Sequence, residues 1–160
     1  PLRCGIVTTG NEVFYGRIQD TFTPVIEQKL KDYGMTVMGH TLCPDDPQKI
    51  TAAILELRDQ GAELIMTTGG MSVDPDDRTP AAIRATGARM VTYLPTESGE
   101  IPVLGLPGCV MYAKRTVFDL VLPRVAAGVE IKREDLVRMG EGGLCLNCPV
   151  CTWPNCGFGK

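Results

Sequence analysis

The sequence has a single histidine, no excess of positive charge, no long apolar run and no internal repeat or low-complexity tract. Each absence closes a class of function. No nucleophile stands beside an evident base, so a serine- or cysteine-histidine mechanism is not readable. His40 falls within a strand-like pattern and is read as structural. The net charge of −3 leaves no basic footprint, so nucleic acid is not expected as a partner. A phosphate-bearing ligand would then be held by backbone N–H groups, helix ends and a metal ion. No stretch reaches the roughly 20 apolar residues that a membrane helix needs, so no membrane association is expected. No secretory signal opens the chain. Pro1 leads almost at once into a strand, so the chain is read as a piece of a longer polypeptide, where that lack carries little weight.

What remains is ordinary for a globular domain: 160 residues, 44% apolar and 22% charged, enough for one full core. Seven cysteines are unevenly placed. Cys4, Cys43 and Cys109 are scattered, whereas Cys145, Cys148, Cys151 and Cys156 crowd the end. Such clustering suits a metal site in a reducing compartment better than a disulfide framework. A cytoplasmic protein is expected.

The organising stretch is Leu64-Ile65-Met66-Thr67-Thr68-Gly69-Gly70-Met71-Ser72-Val73, followed by Asp74-Pro75-Asp76-Asp77-Arg78-Thr79-Pro80. It reads as a buried strand, a glycine turn, an acidic loop and a helix start. Glycines there let a ligand approach the backbone N–H groups closely. Around it, residues 3–8 read as a first strand ending at Thr9-Gly10-Asn11-Glu12. A helix over roughly 21–33 follows, with Phe22, Val25, Ile26, Leu30 and Tyr33 as its apolar stripe. A second strand near 35–42 leads to an acidic turn, Pro44-Asp45-Asp46, and to a helix with Ile50, Ala53, Ile54 and Leu57 on one face.

Beyond the central strand come a helix near 79–86, strand-like 88–94, a hairpin-like segment near 96–100 and a strand over 101–104. Gly105-Leu106-Pro107-Gly108 is expected to open the longest helix, with Val117, Phe118, Val121, Leu122 and Val125 inward and Pro123 kinking or ending it. The alternation predicts a three-layer α/β/α fold with a mostly parallel sheet over residues 1–131, then an irregular Cys-rich tail over 132–160. Ligands of such sheets bind beyond the carboxyl ends of the strands, and all three glycine turns should gather at that edge.

The same edge holds Glu12, Asp20, Asp45, Asp46, Asp74, Asp76 and Asp77. Singly these are turn and cap residues; together, near phosphate-type turns, they suggest Mg2+, which takes a few carboxylates plus phosphate and water oxygens. Thr9, Thr67, Thr68 and Ser72 are candidates to hydrogen-bond a phosphate or a polar ring. In the tail, C-x2-C-x2-C-x4-C supplies four thiolates, a set that suits zinc or an iron–sulfur cluster; the bland reading is redox-labile thiols.

These landmarks carry a resemblance. Thr9-Gly10-Asn11-Glu12, Pro44-Asp45-Asp46, Thr68-Gly69-Gly70-Met71-Ser72-Val73 and Gly105-Leu106-Pro107-Gly108 occur in the order found in the molybdopterin-binding domain of molybdopterin molybdotransferases and adenylyltransferases. Residues 4 to about 128 resemble that domain. The resemblance implies a role in building molybdenum or tungsten cofactor, either in adenylating molybdopterin with Mg2+ or in using the adenylated form to insert molybdate or tungstate. It implies catalytic positions at Glu12, Asp45 and Asp77. It implies ligand contacts at Thr9, Gly10, Thr68, Gly69, Gly70, Ser72, Asp74, Gly105, Pro107 and Gly108. It also implies self-association and, by family, a transferase. Asn11 and Cys109 depart from the molybdotransferase pattern, which has Asp and Asn there. Asp77-x-Thr79-Pro80 is closer to the adenylyltransferase and to the competence/damage-inducible protein's related domain. Two other readings therefore stand beside the first: a non-catalytic module that carries or senses molybdopterin, and a nucleotide-processing enzyme. Cys145, Cys148, Cys151 and Cys156 belong to none of these core patterns.

Overall fold

The computed structural model describes residues 1–69, 93–97, 99–106 and 108–160. The expected helix near 79–86 and most of the strand-like segment 88–94 lie outside the described residues. In chain order the elements are β1 (Arg3–Thr9), α1 (Asn11–Phe14), α2 (Phe22–Asp32), β2 (Thr36–Cys43), α3 (Pro47–Asp59), β3 (Leu64–Thr68), β4 (Tyr93–Thr96), β5 (Gly99–Leu106), α4 (Cys109–Tyr112), α5 (Val117–Ala126) and α6 (Arg133–Met139). The strands form one sheet in the order β2-β1-β3-β5-β4. β1 is parallel to β2 and β3, and β3 is parallel to β5; only β4 runs antiparallel, as the hairpin partner of β5. The mostly parallel α/β reading holds.

Burial follows position in the sheet. Every residue of β3 and all of β1 but Arg3 are buried, while β2, at the edge, is largely half-exposed. Side chains alternate across a strand, and the two faces meet different helices. Ile50, Ala53, Ile54 and Leu57 of α3 join Val7, Ile65, Val103 and Leu94 in one cluster. Gly5 and Gly39 are register partners on β1 and β2. A Cβ on either would lie 2.9 Å from a methyl of Leu57, so the paired glycines form the recess in which Leu57 seats. On the opposite face the Cys4 thiol lies 3.7 Å from the Met35 sulfur, and Thr8 is bonded to Thr23 of α2. Helices thus cover both faces. Burial, with the charge of Glu63 adding to it, pushes the Cys4 thiol up to about 12, so this cysteine is chemically quiet.

Local chemistry sets the helix ends. Asp46 accepts hydrogen bonds from the N–H groups of Gln48 and Lys49 (2.9 and 3.3 Å), with Pro47 at the first helical position of α3. In α2, Ile26 and Leu30 are buried, but Tyr33, expected on the apolar stripe, is exposed just past the last helical residue.

Near the end of the chain the segment after Gly108 departs from expectation. It is not the longest helix; α3 is longer than any helix there. The four residues of α4 stop, and α5 starts anew after extended Thr116, whose N–H donates to the Asp119 carboxylate at 2.8 Å. Val117 is exposed and Pro123 lies within α5, which continues to Ala126. α6 lies in what the sequence presents as irregular tail; the Asp135 carboxylate caps it by accepting the Lys132 N–H at 2.9 Å. By packing, the chain divides into two compact units, Pro1–Gly108 and Cys109–Lys160.

Candidate functional site

From β1 the chain passes to β2 on one side, then returns through α3 to β3 on the other side of β1. The strand order therefore reverses between β1 and β3, the place where parallel sheets bind ligands beyond their carboxyl ends. Gly10 follows β1 and Gly69 follows β3, at φ +138° and +79°. The two turns touch: the Thr9 hydroxyl donates to the Thr68 carbonyl at 3.0 Å. A Cβ on Gly69 would lie 2.1 Å from the Thr9 carbonyl oxygen. Leu106 of β5 pairs with Thr68, and a Cβ on Gly108 would lie 3.9 Å from the Phe22 ring at the start of α2. Thr9, Gly10, Thr68, Gly69 and Gly108 thus share one edge. Gly105 does not belong to a turn, because pairing with β3 carries β5 on to Leu106 and sets Gly105 opposite Thr67 within the strand. Gly70, Ser72, Asp74, Asp77 and Pro107 lie outside the described residues.

Four threonine hydroxyls end the two central strands, all buried: Thr8, Thr9, Thr67 and Thr68. A buried hydroxyl without a partner is costly. Thr9 has the Thr68 carbonyl, and Thr67 reaches the Leu104 carbonyl at 3.4 Å. Thr8 lies 3.0 Å from both the Thr23 hydroxyl and Nε2 of His40. Among the described residues the Thr68 hydroxyl has no hydrogen-bond partner. It pairs in register with Thr8 and so points to the α2 face of the sheet.

The network beneath α2 has a fixed direction. Thr23 gives its hydroxyl hydrogen to Asp20, whose carboxylate also accepts the N–H groups of Phe22 and Thr23. Thr8 must then donate to Thr23, leaving Nε2 of His40 as the hydrogen-bearing nitrogen. Burial pushes the Asp20 carboxyl up, but the Thr23 hydroxyl, the two N–H groups and His40 at 3.5 Å outweigh it and hold it below the usual carboxylate range. Asp20 is a helix cap and the anchor of a chain ending on a structural histidine. Sequence reasoning missed Thr23 here, because no motif marks a threonine that only tertiary packing joins to a distant strand.

The remaining carboxylates separate by role. Asp46 caps α3. Asp45 and Asn11 bind each other: the Asn11 N–H donates to the Asp45 carboxylate (3.0 Å) and the Asp45 N–H to the Asn11 side-chain oxygen (3.2 Å). This clasp joins the first turn to the acidic turn after β2. It also accounts for Asn11, since a carboxylate there would place a like charge beside Asp45. Glu12 is exposed, next to the clasp. Of the three acidic positions singled out, Glu12 and Asp45 come to this edge.

In the second unit Cys145, Cys148, Cys151 and Cys156 are all unpaired, the middle pair exposed and the outer pair half-buried. All four line one cavity of about 250 Å3, together with Lys114, Arg115 and Trp153. Among the described residues, no three His, Cys, Asp or Glu side chains converge on a point that would hold a single metal ion. Nor is any described helix long and apolar enough to cross a membrane.

Comparison with known proteins places this geometry in context. Residues 5–127 match the family model described as "Probable molybdopterin binding domain". A CinA-like protein of Mycolicibacterium gilvum is 39% identical over 102 residues, 62% of this chain but 24% of that protein. The chain therefore spans about a quarter of the length of such curated relatives. Among solved structures, the molybdopterin biosynthesis enzyme MoaB from Thermus thermophilus is 27% identical, covering 82% of this chain and 100% of that one at a TM-score of 0.63. The tungsten cofactor synthesizing protein MoaB from Pyrococcus furiosus shares the fold at 21% identity and a TM-score of 0.65, covering 78% and 92%.

Proposed function

Because the chain belongs to the molybdopterin-binding domain family, we propose that it binds molybdopterin or adenylated molybdopterin in the crevice between β1 and β3, and serves the assembly of molybdenum or tungsten cofactor. The observation that carries this reading is the buried hydroxyl of Thr68 at the strand-order reversal, which has no partner among the described residues. A ligand phosphate or ring heteroatom gives that hydroxyl its missing partner. Neither Gly10 nor Gly69 carries a side chain, so a terminal phosphate can approach the backbone of both turns closely. Thr9 holds the two turns at fixed separation, and the Asn11–Asp45 clasp holds the acidic turn beside them.

Glu12 and Asp45 fit what Mg2+ takes from a protein when phosphate and water oxygens complete its shell. Magnesium bound there would neutralise charge on a transferring phosphoryl or adenylyl group. This chain's own part is to position and desolvate: Asp45 is oriented by the Asn11 N–H, and Thr68 fixes the ligand's register. Asp77, Ser72 and Asp74 enter the reading through the sequence motif. Self-association belongs to it as well, with Phe14, Tyr15 and Ile18 exposed after the first turn; a monomer by light scattering at working concentration would count against that part.

The deciding experiment is anaerobic titration of the protein with molybdopterin and with its adenylated form, each with and without Mg2+. Micromolar binding that weakens in Thr68→Val supports the crevice. Molybdate-dependent release of AMP then marks a metal-inserting transferase, and tight binding without turnover marks a carrier or sensor. A second reading is favoured by the CinA-like relatives and by the Asp77-x-Thr79-Pro80 motif: the same crevice acts on a nucleotide. Hydrolysis of a dinucleotide or nucleotide-sugar, with no affinity for molybdopterin, would replace the first reading.

A further inference from the structure

The four tail cysteines are not needed for the crevice, yet the fold gives them a structure of their own. The segment from Gly142 to Gly157 is a loop closed at its base. A Cβ on Gly142 would lie 1.8 Å from the Gly157 carbonyl oxygen and 2.6 Å from that of Lys160. Only glycine permits that approach. The loop is held again where the Lys114 N–H donates to the Asn147 side-chain oxygen at 3.2 Å. Phe158, just past the base, is buried, and Gly159 sits against Leu120 of α5. All four thiols fall inside this closed loop and line a single cavity.

We propose that this loop is the site of an iron–sulfur cluster bound by Cys145, Cys148, Cys151 and Cys156. A single zinc ion requires four sulfurs about 2.3 Å from one point, which draws them into mutual contact. Among the described residues no three of the cysteines form a group that would hold a single ion; all four line one cavity of about 250 Å3 instead. A polynuclear cluster attaches its four thiolates at separate irons, and so takes ligands that surround a space rather than meet in it. Four thiolates on a cluster leave residual negative charge, and Lys114 lines the same cavity to offset it, whereas Arg115 there is paired with Asp119 at 3.3 Å. The outer cysteines, half-buried near the closed base, would be the fixed pair. The exposed Cys148 and Cys151 lie toward the tip, where a preassembled cluster has access.

The test uses the full chain purified anaerobically and reconstituted with ferrous iron and sulfide. The expected result is about four irons and four acid-labile sulfides per chain, a broad visible absorption, and protection of all four tail thiols from alkylation. Cys148→Ser with Cys151→Ser should abolish the absorption while the far-ultraviolet circular dichroism stays that of the parent. Gly142→Ala, which opens the loop base without removing a ligand, should reduce cluster retention several-fold. One zinc per chain without sulfide would overturn the proposal in favour of a mononuclear site. Four thiols that alkylate equally fast before and after reconstitution would overturn it in favour of free cysteines.

Discussion

Gly69 shows how little freedom single positions have at the crevice. Its φ of +79° and the Thr9 carbonyl oxygen standing where a Cβ would be built leave a side chain nowhere to go, because the obstacle is backbone. Gly69→Ala should cost about 2–4 kcal/mol, read as a shifted urea midpoint, together with loss of ligand binding. Thr68→Val should behave oppositely. Removing an unpartnered buried hydroxyl should raise stability by about 1 kcal/mol, while ligand affinity falls about tenfold; unchanged affinity would take Thr68 out of the site. Asp20 gives a pH signature. Its carboxyl is held low in the folded chain and titrates near 3.9, roughly the ordinary value, when unfolded. The folded state therefore binds fewer protons in that window. The stabilisation is complete above the ordinary value and is lost as pH falls through the lowered one. Asp20→Asn should cost stability at neutral pH and progressively less on acidification, and a difference constant with pH would refute this. The sequence offered Asp20 as a site carboxylate on the ligand edge; only the folded chain shows its oxygens committed to α2 and His40.

Among the elements, α3 was the most legible. Its apolar spacing, its Asp46-Pro47 start and Gly61 after its end all stand, since each is a local signal acting within a few residues. Asp46→Ala should cost about 1 kcal/mol. Leu57→Ala, which empties the recess over Gly5 and Gly39, should cost about 2–5 kcal/mol; both are checked by chemical denaturation. β5 was legible in place but not in length. A strand ends where its partner stops offering hydrogen bonds, and Thr68 of β3 pairs as far as Leu106. The break between α4 and α5 was hidden for a related reason: apolar periodicity continues across it, and the stop is made by extended Thr116 and the Asp119 carboxylate.

For the whole molecule, the order of turns along the chain carried the family, and the family model and the shared fold agree with it. The sequence alone determined the alternation of elements, the mostly parallel sheet, the glycine turns and the four-cysteine spacing, because each is written in periodicities and short motifs that act locally. Tertiary structure decided the rest. It chose the strand order that makes β1 and β3 the switch point, bonded Asn11 to Asp45 across 34 positions, and left the buried Thr68 hydroxyl without a partner among the described residues. It also closed the loop whose four cysteines line one cavity. Those are contacts between residues far apart in the chain. No local pattern specifies them, since each depends on which faces and edges the packed sheet brings together.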